Sequence, residues 1–218
     1  MKLKLIHAAI LFCILSTGLH GNHVQAMEDP TAMVRRMLER VMTVQTDPRL
    51  QGRDHRNQRR EDIKKIIAQN FNFDLMAQQA IGSYWQKLNE AEQREFTDIF
   101  RDLFQDSYTK LVLDFLKREN ILYTKEELLQ DQALVKTKII RTNEAIPVDY
   151  SLILVRGKWL VKDVSIDGVS IVGNYRKSFT RVIQRESYPA LLSKMRLQRK
   201  AVEKSSRRDQ VQKVEGFS

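Results

Sequence analysis

Few residues of this chain could carry a reaction. Of its four histidines, His7, His20 and His23 precede residue 27, and only His55 follows, inside the most polar stretch of the chain. A Ser/His/Asp relay would need this surface-like imidazole as its base, and a metal site built from paired histidines is excluded. The single cysteine, Cys13, lies in an apolar run near the N-terminus, so no later residue offers a thiolate nucleophile, a thiolate metal ligand or a disulfide. The eight glycines are scattered and make neither GxGxxG nor GxxxxGKS, which argues against nucleotide chemistry. One carboxylate stands out. Asp163 lies on an apolar segment with Trp159 and Val161, where burial could raise its pKa and make it the general base of an isomerase-like pocket. The plainer reading is favoured: Asp163 pairs with an arginine or caps a backbone group. No catalytic residue, metal site or cofactor is expected.

The compartment is set by the first residues. Lys2 and Lys4 precede the apolar run Leu5 to Leu15, a polar segment follows, and Val24-Gln25-Ala26 provides small side chains for cleavage. That is the layout of a secretory signal peptide, too short in its apolar part for the ~20 residues of a spanning helix. Cleavage after Ala26 takes 26 of the 218 residues and leaves 192, enough for one domain. The mature chain keeps 35 Lys and Arg against 27 Asp and Glu, a net +8. Outside the cytoplasm such a surface meets membranes or acidic proteins rather than nucleic acid.

The elements follow from periodicity. Thr31 to Val44 predicts a helix with Met33, Val34, Met37, Leu38, Val41 and Met42 on one face, ended by Thr46-Asp47-Pro48. Gln51 to Asp62 reads as solvated, before a stripe of Ile63, Ile66 and Ile67. Phe71 to Trp85 is densely apolar, and Gly82 marks a helix end or a close backbone approach. The clearest helix starts at Asn89, with Glu92 as capping-box partner, and runs to about Leu116.

After Glu127 the period moves toward two, and three strands are expected at Ala133 to Thr142, Ile146 to Arg156 and Trp159 to Asp167. The last two form a hairpin about Gly157, and the middle strand should be central and covered on both faces. Helix returns over Val172 to Gln184 and again, briefly, over Pro189 to Leu197. Residues 199–218 read as a disordered basic tail. The domain proper is therefore 27–198, with no internal repeat and nothing that calls for an oligomer.

Helices first, an antiparallel sheet next and a returning helix last make an α+β domain. A curved sheet wrapped by helices satisfies that order and can leave an apolar cavity between the layers. Periodicity does not separate residues that fill a core from residues that line a cavity. On pattern alone a carrier, an isomerase and an adaptor with a filled core all remain.

Several stretches narrow the choice. Phe71-Asn72-Phe73-Asp74-Leu75-Met76-Ala77, then Ile81-Gly82-Ser83-Tyr84-Trp85, then Glu92-Gln93-Arg94-Glu95-Phe96 leading to Phe104 and Tyr108, and above all the run from Trp159 through Asp163, Asp167-Gly168 and Tyr175 to Phe179 resemble the MlaC family of periplasmic phospholipid-binding proteins. The chain departs from the family in Asp167, where Glu is usual, in a longer basic tail, and in the arginine content of Gln51 to Arg60.

The resemblance implies a nuclear-transport-factor-2-like sheet wrapped by helices, with a phospholipid held as cargo. It also implies a periplasmic shuttle between an inner-membrane ABC transporter, docked through its MCE-domain protein, and an outer-membrane lipoprotein complex. Expected acyl contacts from the helical half are Phe73, Met76, Ile81, Tyr84, Trp85, Phe100, Phe104 and Tyr108. From the sheet and the returning helix they are Tyr150, Val164, Val169, Ile171, Val172, Tyr175 and Phe179. Arg176 is the expected phosphate contact, with a salt bridge to Asp163 as its alternative.

Overall fold

The computed structural model describes residues 29–116 and 118–215, with side chains to residue 204. The expected signal peptide, residues 1–26, lies outside the described residues. Helix α1, Pro30–Thr46, is started by Asp29, whose carboxylate accepts the Ala32 N–H at 2.9 Å. Pro30, which has no N–H to satisfy, opens the helix. Helix α2, Arg56–Asn70, begins inside the stretch expected to be solvated, but its buried residues are confined to its second half, from Ile63 onward.

Asn72 caps α3, Phe73–Ile81, and its backbone N–H donates to the Val161 carbonyl at 2.8 Å, which ties the α2–α3 junction to the sheet. Gly82 ends α3 with φ 58°. A Cβ there would stand 3.0 Å from Nε of Arg176, so both expectations for this glycine hold. The Asn89–Glu92 capping box opens α4, Glu90–Phe115: the Glu92 N–H donates to Asn89 Oδ1 at 3.0 Å, and the Asn89 N–H to Glu92 Oε2 at 2.9 Å.

The sheet is an antiparallel meander of five strands in chain order: β1 (Asn120–Leu129), β2 (Gln132–Ile140), β3 (Ala145–Val155), β4 (Lys158–Ile166) and β5 (Val169–Ser170). The turns at Arg156-Gly157 and Asp167-Gly168 have positive φ at both residues, which matches the right-handed twist of two-residue hairpins. In β4, Lys162 is an extra residue between the pairs Leu152–Val161 and Ser151–Asp163. This bulge moves the inward face from Trp159 and Val161 to Val164 and turns Asp163 aside.

Three expectations need correction. Strand β1 is absent from the sequence-based expectation because Lys125, Glu126 and Glu127 break its alternation, yet pairing along β2 holds it as a charged edge strand. Strand β3 is central, but only Val148, Tyr150 and Leu152 are buried; Asp149, Ser151 and Ile153 on the other face are half-exposed. The last helix does not stop at Leu197: α6 spans Tyr188–Glu215, through most of the segment expected to lack structure. Beyond Leu197, Arg199 stands 3.6 Å from Asp102 of α4 and Val202 is half-buried against the core, so the helix continues along α4.

Helices α1, α2 and α3 contact the sheet, and α6 packs on α4. On one side, α3, the first half of α4, α5 (Ile171–Arg185) and the start of α6 pack into aromatic core. On the other, α1, α2 and the second half of α4 stand over the sheet without closing on it.

Candidate functional site

The space left on that second side is an apolar cavity of about 400 Å³. Its roof is Met37, Leu38 and Val41 of α1, Ile66 and Ile67 of α2, and Phe104, Tyr108, Leu111, Val112 and Phe115 of α4. Its floor is the inner face of β2, β3 and β4: Ile139, Ile146, Val148, Tyr150, Val164 and Ile166. Phe71, Leu116 and Ile171 close the sides. Leu111 (36% exposed) and Phe115 (54% exposed) mark the open end, beside Arg141 and Glu144 of the β2–β3 hairpin.

Among the described residues, nothing in the interior carries charge at neutral pH. The phenols of Tyr108 and Tyr150 are the titratable groups there, and burial pushes both far above the ordinary tyrosine value; Tyr175 and Asp163 add a smaller push at Tyr108. Both therefore stay neutral. The wall is suited to hydrocarbon, which leaves no buried ion unpaired.

The open end is fastened from two directions. Gln45, at the end of α1, donates through Nε2 to the carbonyls of Val112, Leu113 and Leu116 at 3.0, 3.2 and 2.8 Å, which satisfies the bare C-terminus of α4. Arg141 donates to the Phe115 carbonyl and to Glu144 Oε1 at 3.3 Å, bridging helix and hairpin. Far from this end, Glu126 of β1 accepts the Thr31 N–H at 2.9 Å and holds α1 over the sheet.

Both carboxylate oxygens of Asp163 are engaged. Oδ1 accepts the N–H groups of Val164 at 2.8 Å and Val172 at 3.0 Å, and Oδ2 accepts the Ser170 hydroxyl. Ser170 Oγ in turn accepts the Gly173 N–H at 2.8 Å. The carboxylate thus anchors the first turn of α5 to the bulge in β4, the backbone-capping role favoured from sequence.

Of the expected acyl contacts, Phe104, Tyr108, Tyr150, Val164 and Ile171 line the cavity. Phe73 lies behind the wall, 5.6 Å from the Phe104 ring in an edge contact. Phe100, Tyr175 and Phe179 belong to the aromatic core, with Phe100 and Tyr175 centroids 5.3 Å apart. Met76, Ile81 and Val172 are buried in that same core, and Tyr84 stacks on Tyr188 at 5.2 Å beside half-buried Trp85. Val169, the first residue of β5, is 59% exposed.

Arg176 is exposed as well. It follows inward-facing Tyr175 by one helical position, so it points outward, into a surface cleft with Lys177, Arg181 and Arg185 rather than into the cavity. Sequence reasoning missed the walls from α1, α2 and the end of α4. One signal was available: Leu111, Val112, Leu113, Phe115 and Leu116 are apolar all round the helix, more than one packed face requires.

Comparison with known proteins agrees with the architecture. The family model described as MlaC protein matches residues 35–197. The intermembrane phospholipid transport system binding protein MlaC of Haemophilus influenzae is 23% identical over 148 residues, covering 64% of this chain and 67% of that protein. The phospholipid-binding protein of Ralstonia solanacearum, solved in complex with a phospholipid, superposes with a TM-score of 0.69 at 21% identity. The match spans 81% of this chain and 99% of that one, so the α+β fold expected from sequence is the fold the two share.

Proposed function

The chain belongs to the MlaC family, and from that premise we propose that it is a phospholipid carrier whose apolar cavity takes the acyl chains and whose headgroup end lies between Phe115 and Glu144. The observation that carries this reading is the cavity itself: an uncharged hydrocarbon-lined space, open at one end, in a fold shared with a protein solved in complex with phospholipid. The physical need is large. Exposing ~30 methylenes of two acyl chains to water costs on the order of 20 kcal/mol at about 0.8 kcal/mol each, so unassisted transit across an aqueous gap is very slow. A dry cavity removes most of that penalty without nucleotide or reaction.

The finer reading is a periplasmic monomer, exported by residues 1–26, that moves lipid between an inner-membrane ABC transporter with an MCE-domain docking protein and an outer-membrane lipoprotein complex. The name of the Haemophilus relative, an intermembrane transport protein, supports it. So does the basic face of α5, where Arg176, Lys177, Arg181 and Arg185 line one cleft and would meet an acidic partner in a salt-sensitive, transient way. The 27–198 domain then acts as one unit, with α6 continuing beyond it.

The test is mass spectrometry of mature protein purified from the periplasm, native and after organic extraction. One phospholipid per chain is expected. Val112→Trp, which puts an indole into the cavity, should lower occupancy severalfold while far-ultraviolet circular dichroism stays unchanged. A folded, delipidated wild-type protein that takes up no lipid from vesicles would sink the proposal.

A further inference from the structure

A second cleft, polar and about 930 Å³ in volume, adjoins the open end of the apolar cavity, and Arg141 is a wall of both. Among the described residues its lining includes four guanidinium groups, Arg56, Arg59, Arg118 and Arg141, and two carboxylates, Asp114 and Glu119; with Glu144 beside Arg141 counted as well, one positive charge is in excess. Arg56 is matched by Asp114 at 2.8 Å. Arg141 stands 3.7 Å from Glu119 and 3.3 Å from Glu144.

The other two arginines carry the excess. Arg59 donates to the backbone carbonyls of Leu50 and Gly52. Arg118 is exposed at the mouth of the cleft. Burial holds the Arg59 pKa below its usual value, and the neighbouring Arg56 charge adds to the effect, as between like charges with no anion beside them. At the junction, Nε of Arg141 is buried without a hydrogen-bond partner. A buried donor left bare on an otherwise well-bonded side chain lacks an acceptor.

We propose that this cleft receives the phosphate of the lipid headgroup, and that the excess positive charge makes the protein favour lipids with net anionic headgroups over zwitterionic ones. The inference rests on the carrier reading, because the acyl chains must occupy the cavity for the headgroup to emerge beside Arg141. The chemistry is that of guanidinium and phosphate: planar donor pairs match two phosphate oxygens. A zwitterionic headgroup brings its own ammonium into a cleft that already carries surplus positive charge, which weakens its hold. The expected phosphate contact therefore moves from Arg176 to the arginines around the open end.

The experiment offers delipidated mature protein vesicles of equal phosphatidylglycerol and phosphatidylethanolamine and counts both lipids in the washed protein. Wild type should enrich phosphatidylglycerol, and Arg118→Gln should cut that enrichment by about two- to fivefold, the range up to the most that one exposed ion pair contributes, with total lipid per chain unchanged. Arg59→Gln together with Arg118→Gln should abolish it. Because Arg59 also holds two carbonyls, thermal unfolding accompanies the double variant, and the single variant decides the assignment on its own.

Equal uptake by wild type, or an enrichment that Arg118→Gln leaves intact, overturns the cleft assignment while the carrier reading survives. No uptake of either lipid overturns both. Inorganic phosphate, titrated by calorimetry, separates a headgroup site from a free-anion site. It should bind the empty protein and be displaced on lipid loading, whereas equal binding to empty and loaded protein overturns the assignment.

Discussion

The two halves of α4 do opposite things. Its first half faces α3, α5 and α6 through Phe96 and Phe100, and the space is filled: Phe96 meets Phe179 edge-on at 5.9 Å, and Phe100 meets Tyr175 at 5.3 Å. Its second half faces α1, α2 and the sheet through Leu111, Val112 and Phe115, and the space is hollow. Flat rings that meet at offset or edge angles fill a volume densely and fix neighbouring helices in place. Aliphatic side chains on helices held apart by end contacts, Gln45 at one end and Glu126 at the other, leave a gap that a flexible chain can occupy. Rigidity on one side supports the opening on the other.

Truncations test this contrast most sharply. Phe100→Ala removes a ring from the filled half and should lower unfolding free energy by about 3–5 kcal/mol. Val112→Ala removes atoms that already face space and should lower it by under about 1.5 kcal/mol. Urea unfolding of the two variants decides. Equal losses would mean that the hollow half is closed in solution.

Alkaline pH gives a middling effect. Burial raises the phenol pKa of Tyr108 and Tyr150 in the hollow half and of Tyr175 and Tyr188 in the filled half, Tyr188 to about 12. Unfolded tyrosines ionise near ~10, so the native state holds more protons above that pH and stability must fall as pH rises, while below it these groups have no effect. Phenolate absorbance should appear at Tyr188 before Tyr108, and lipid loading should delay Tyr108 further. Tyr108→Phe should remove that lipid-dependent step from the titration curve, and a step that survives the substitution would contradict this.

The smallest change concerns a residue that its sequence context puts in the pocket and the structure does not. Val169→Ser, at the exposed start of β5, should shift stability by less than about 0.5 kcal/mol and leave lipid occupancy untouched. Reduced occupancy in native mass spectrometry would return Val169 to the site.

Local rules made much of the fold readable. The Asn89–Glu92 box, the stripe on α1 and the Arg156-Gly157 turn all depend on residues within a few positions of one another. Strand β1 was unreadable for the opposite reason: its charged residues carry no strand signal, and only the partner β2 makes it a strand. Asp163 was half legible. Its backbone-capping role could be foreseen, but the bulge at Lys162 that aims it at Val172 is a property of register between β3 and β4.

By itself the sequence determined a cysteine-free stretch after residue 26 with one late histidine, a basic composition, helices before and after an antiparallel sheet, and the apolar faces of the helices. Those follow from composition, from hydrogen bonding that closes within a turn, and from the polarity of each face. Only the tertiary structure decided which inward residues touch a neighbour and which touch empty space. A leucine or phenylalanine has the same transfer free energy in either setting, and the difference lies in the summed volumes of side chains brought together from α1, α2, α4 and the sheet.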